Sequence, residues 1–140
     1  MRGQPSRAQL LGVANLTIAI ISGLVYVGHG LIWVDDVWAR NSYPPASCSS
    51  VILGYYAVSL ALALLLLLAG LGLWDGQHWG RWASYLYSTS TLLLQGGFYA
   101  LGVLLAPDRP DWLEVVKIGF VVSGIYAALL LELLALGYVP

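Results

Sequence analysis

Asp, Glu, Lys and Arg are absent from Ala8 to Val34, from Asn41 to Trp74 and from Trp82 to Pro107, and Glu132 is the lone charge between Ile118 and Pro140. A helix crossing a hydrocarbon core of about 30 Å needs roughly 20 mostly apolar residues at about 1.5 Å each. Each interval has room for one such helix, and none for two with a turn between them. The spacing predicts spans near 10–34, 51–73, 82–106 and 114–137. Charged residues make up 9% of the chain and hydrophobic ones 59%, where a soluble domain carries about 25% charged. That balance excludes a water-soluble enzyme, a disordered regulator and a nucleic-acid binder. The run from Val58 to Leu73 has no polar stripe, so a soluble core helix is excluded, and it lacks the in-out alternation of barrel strands. The expectation is an all-α membrane protein, a four-transmembrane-helix up-down-up-down bundle forming one membrane domain over 1–140.

The connections fit that topology. Asp35 to Ser50 is the longest, and its Tyr43-Pro44-Pro45 cannot continue a helix. Asp75-Gly76 is a turn signal, and Pro107 to Asp111 reads as a tight polar hairpin with Asp111 placed to cap the last helix. An even number of crossings puts both termini on one side. Arg2, Arg7 and Arg81 mark that side as cytoplasmic against Arg40, Arg109 and Lys117. The six Trp flank the predicted spans as headgroup-level anchors. The first apolar segment, of about 25 residues, exceeds the roughly 7–15 of a signal-peptide core and reads as a retained helix. Cys48, the sole cysteine, rules out an intrachain disulfide and reads as a small helix-boundary residue.

Within the spans, a few polar side chains are candidate sites. His29, between Gly28 and Gly30, is a conceivable axial ligand for a chlorin or haem, since the glycines leave room for a planar group. A bis-His haem within one chain is excluded, because His78 falls on the opposite side; no cofactor or metal is predicted. Glu132 lies at the depth of Asn15 and Tyr87, and the three could form a proton or cation site. Its bland alternative is reaching the headgroups. Gln95 is expected near mid-membrane, where an amide seeks a partner on another helix. Glu114 and Lys117, three apart, can pair at the outer boundary.

Packing signals are also present. Gly119, Ser123 and Ala127 recur every four residues on the fourth helix, and Ala57 and Ala61, with Ser59 and Ala63, do so on the second. Small residues at this spacing let helices approach closely. Leu62 and Leu64 to Leu68 predict a bulky surface facing lipid or a large apolar partner. No paired carboxylates, metal-ligand cluster, phosphate loop or Ser–His–Asp set is evident, so a non-enzyme is expected.

The stretch from Gly70 to Ala83, with Gly72-Leu73-Trp74 ending one helix and Trp79-Gly80-Arg81-Trp82 opening the next, resembles the inter-helix loop of small bacterial four-helix inner-membrane proteins. The resemblance implies a bacterial inner membrane and no particular activity. Three functions remain open on the residues. The first is a non-catalytic accessory or scaffolding subunit, contacting the lipid bilayer and other membrane subunits or copies of itself, with no nucleic acid. The others are a small carrier or channel using His29, Gln95 and Glu132, and a pigment- or haem-binding subunit.

Overall fold

A computed structural model describes residues 4–39, 46–105 and 110–139, with side chains from 34–50 and 106–111 left aside. Four helices follow one another, α1 (Arg7–Ala39), α2 (Ala46–Trp74), α3 (His78–Leu105) and α4 (Pro110–Ala135). Each contains a segment long and apolar enough to cross a membrane, Arg7–Trp33, Val51–Trp74, His78–Leu105 and Trp112–Ala135. The chain is thus an all-α, four-helix integral membrane protein. The 40–45 and 106–109 connections and the Cys48 side chain lie outside the described residues.

Helix ends depart from the charge-based boundaries for physical reasons. α1 runs on through Asp35 and Asp36 to Ala39, because charge ends a membrane span without ending a helix. α4 begins at Pro110, a position where the missing N–H costs nothing. Asp111 therefore falls in the first turn instead of capping it, a correction to the sequence reading. A reciprocal capping box starts α1: Ser6 N donates to Gln9 Oε1 (3.0 Å) and Gln9 N donates to Ser6 Oγ (3.2 Å). α2 stops in a Schellman turn, with Gln77 N donating to Gly72 O (2.8 Å) and Gly76 N to Leu73 O (3.2 Å). Gly76 holds φ +69°, and Gly137, at +71°, repeats the device after α4.

Packing is sequential. α1 lies on α2, α2 on α3 and α3 on α4, whereas α1 and α4 make no close backbone approach among the described residues. Glycines explain the difference. A Cβ on Gly12 would stand 2.9 Å from Gly70 O, and one on Gly80 would stand 2.5 Å from Gly72 C, so α1–α2 and α2–α3 touch backbone to backbone near the terminal end. Gly102 takes Trp112, and Gly96 takes Phe120, where α3 meets α4. Along the α1–α4 side, Ile21 and Val25 on α1 and Ile118 and Val122 on α4 stay exposed instead of packing against one another. The bundle is therefore open on one side.

Two separate cores result. One, at the terminal end, includes Leu11, Leu66, Leu73, Ala127 and Leu134; the other, toward the opposite end, gathers Ile52, Tyr55, Tyr56, Trp112 and Val116. Leu62 and Leu66 belong to the first core while Leu64 and Leu68 are exposed. The predicted uniform Leu surface is thereby corrected: at 3.6 residues per turn, consecutive leucines point all round the helix.

Candidate functional site

Between the two cores, all four helices enclose a cavity of about 590 Å³, within the roughly 300–1,000 Å³ typical of small-molecule sites. On α1 its lining runs from Ile18 to His29, about 16 Å along the helix at about 1.5 Å per residue. The rim is apolar and outward-facing, with Ile21, Val25, Ile118 and Val122 all exposed. In a bilayer these side chains meet lipid, so the cavity opens sideways through the α1–α4 seam.

Tyr55 dominates the inner wall. Its ring stands edge-on to four others, at centroid distances of 6.1 Å to Tyr26, 5.3 Å to Tyr56, 6.1 Å to Phe98 and 6.0 Å to Trp112. Such arrangements suit the aromatic quadrupole and leave Tyr55 little rotational freedom. One helical turn further along α2 is Ser59. Both residues are 1% exposed, both line the cavity, and neither hydroxyl finds a hydrogen-bond partner. The hydroxyls of Tyr26 and Ser59 are the hydrogen-bond neighbours of Tyr55, though neither reaches the geometry of a formed bond. A buried polar group left unmade costs about 1–3 kcal/mol. Ser88 Oγ, Thr91 Oγ1 and Trp112 Nε1 are also unpartnered, but they do not line the cavity.

The remaining wall is tied up in two polar straps. In the upper one, Gln95 on α3 donates from Nε2 to Tyr26 Oη on α1 (3.1 Å) and accepts from Ser123 Oγ on α4. Ser123 also lies 2.6 Å from the Gly119 carbonyl. Turned over, the same amide would donate to Ser123 and accept from Tyr26, freeing the Ser123 hydrogen for that carbonyl. The lower strap joins Tyr126 on α4, which donates to Asn15 Oδ1 on α1, and Asn15 Nδ2, which donates to Ser84 Oγ on α3 (3.4 Å). Ser84 in turn donates to Gly80 O at 2.8 Å. The two straps link α1 to α4 through side chains where their backbones stay apart.

The sequence candidates separate accordingly. Gln95 and Asn15 are buried at the centres of the two straps. Tyr87 is buried and lines the cavity, and His29 is exposed at its rim. Glu132 is exposed on the outside of α4, away from the cavity lining, and does not join Asn15 and Tyr87. Among the described residues no cluster of three metal-ligating side chains occurs. Gly119, Ser123 and Ala127 face the bundle interior, where Gly119 meets Tyr55 and Ser123 meets Gln95. Ala57 and Ala61 are exposed on the outer face of α2. Glu114 and Lys117 stand 3.9 Å apart, both largely exposed.

Sequence reasoning missed Tyr55 and Tyr26, and it treated Ser59 only as a small packing residue. A signal was available: Tyr55 and Ser59 place two hydroxyls at i and i+4, hence on one face of an otherwise apolar helix. Compared with protein-family models, curated proteins and solved structures, the chain matches none.

Proposed function

We propose that this chain is a non-catalytic membrane binding protein that takes a long-chain molecule sideways out of the bilayer into the cavity between α1 and α4. The carrying observation is that a lipid-facing apolar rim leads to a buried wall with unpartnered hydroxyls. We place the protein in a bacterial inner membrane with both termini cytoplasmic, following the Arg distribution and the loop resemblance. Scintillation-proximity binding of tritiated palmitate and hexadecanol to protein in dodecyl maltoside tests the reading. At least one should saturate at one molecule per chain, and Ile21→Trp with Val122→Trp, which narrow the opening, should abolish it. No saturable binding of either chain overturns it.

A second reading rests on a different surface. Ala57 and Ala61, one turn apart and exposed, would let a neighbouring helix approach α2 closely. This supports an accessory or scaffolding role within a larger membrane assembly or a homo-oligomer. Blue-native electrophoresis should then show a complex that Ala57→Phe with Ala61→Phe disperses, and a wild-type protein that migrates only as a monomer argues against it.

A further inference from the structure

We infer, resting on the binding reading above, that the occupant's head is an uncharged oxygen group, an alcohol or a carbonyl, docked against the hydroxyls of Tyr55 and Ser59.

Charge sets the first constraint. Among the described residues no Asp, Glu, Lys or Arg lines the cavity, and the one imidazole among them that does, His29, stands at the rim. A carboxylate, phosphate or ammonium drawn to the inner wall would lose its water and meet no opposite charge, which strongly disfavours it. A head that enters must therefore be neutral.

Hydrogen-bond capacity sets the second. Of the polar groups on the wall, Gln95 is held by Tyr26 and Ser123, and Tyr126 donates to Asn15. Ser22 donates to its own helix at Ala19 O. Tyr55 and Ser59, by contrast, make no hydrogen bond of good geometry, their hydroxyl neighbours being each other and Tyr26, and the Tyr56 and Tyr87 side chains complete the polar lining. A hydroxyl can donate or accept, so the pair can serve a carbonyl, which only accepts, or an alcohol, which does both. A purely hydrocarbon ligand would leave both groups unsatisfied and would leave the buried hydroxyls without any compensation.

Shape sets the third. The Tyr55 hydroxyl reaches toward α4, where the absence of a side chain at Gly119 leaves room for it, and Ser59 follows one turn along the same helix. A head at this wall leaves its chain to run out along Ile21, Val25 and Val122 into lipid. The site thus fits a single-chain amphiphile with its polar end innermost, the reverse of its usual orientation at a membrane surface.

The test uses tritiated hexadecanol on the full-length protein in dodecyl maltoside, competed by unlabelled hexadecanol, hexadecane or palmitate at pH 9. Hexadecanol should compete at least about tenfold better than hexadecane or the palmitate anion, the worth of one to two net hydrogen bonds. Tyr55→Phe with Ser59→Ala should erase that preference while keeping saturable chain binding. The empty Tyr55→Phe protein should melt no lower than wild type, because it loses an unpartnered hydroxyl and keeps the ring. Saturable binding with equal competition by all three chains overturns the head-group assignment and leaves the binding reading intact. A preference that persists in the double variant also overturns it. Absence of saturable binding by any chain overturns both.

Discussion

Gly119 on α4 stands directly across from the Tyr55 hydroxyl on α2: a Cβ built on Gly119 would lie 2.7 Å from Tyr55 Oη. The same Cβ would lie 3.6 Å from Tyr26 Oη, so one glycine receives two tyrosines from two other helices. This explains the Gly119 position in the small-residue stripe better than helix–helix contact does. Gly119→Ala should destabilise the protein by about 1–3 kcal/mol, the usual cost of overpacking. Tyr55→Phe in the same chain should restore most of that loss, because the clashing atom is the hydroxyl oxygen. Unfolding of the two single variants and the double in mixed micelles reads the coupling directly.

Backbone contact gives a sharper contrast. A Cβ on Gly80 would stand 2.5 Å from Gly72 C, where no side chain can swing away, whereas Gly28 and Gly97 have nothing within 4 Å. Gly80→Ala should cost about 3 kcal/mol or more and lower the yield of folded protein. Gly28→Ala and Gly97→Ala should change stability by less than about 1 kcal/mol. Thermal melting after purification in dodecyl maltoside distinguishes the two classes.

The straps carry their own prediction. Gln95→Leu removes the link from Tyr26 to Ser123, and Asn15→Leu removes the one from Tyr126 to Ser84. Interhelical hydrogen bonds in membranes average about 0.6 kcal/mol and reach about 1.7, so each variant should lose about 1–2 kcal/mol in SDS-titrated unfolding. Because the straps are what joins α1 to α4, both variants should also widen the seam. Spin labels at Leu24 and Ile125, on the two helices, should show a broader distance distribution than in the strapped protein.

Glu132 is the contrasting case. It is exposed on the outside of α4 and away from the cavity lining. Glu132→Gln should leave chain binding unchanged and shift stability by no more than about 0.5 kcal/mol. A loss of proton or cation flux through reconstituted vesicles in this variant would instead favour the carrier reading.

How much of this was legible in the sequence depends on how far the residues in question act. Three uncharged intervals and a fourth broken only by Glu132 set the number and order of the helices, because the cost of charge in hydrocarbon acts residue by residue. Asp75-Gly76 announced its turn for a similarly local reason, the positive φ that Gly76 adopts. Gln95 and Asn15 stood out as amides in apolar spans, since such groups need partners, but their partners could not be read from the sequence. Tyr26 and Gln95 are 69 residues apart, and Asn15 and Tyr126 are 111 apart. The Leu64 to Leu68 run and Glu132 show the same boundary. Their chemistry is evident from sequence, but which way each side chain faces is set by helix rotation against neighbours.

Charge scarcity alone therefore determined the class and the four helices long and apolar enough to cross a membrane, because burying a charge in lipid is costly wherever the chain goes. Tertiary structure decided that three interfaces close on glycine while the α1–α4 seam stays open. It also decided that Tyr55 and Ser59 face the space behind that seam without partners. Those outcomes depend on the shapes of side chains brought together from distant positions, and no single stretch of sequence contains them.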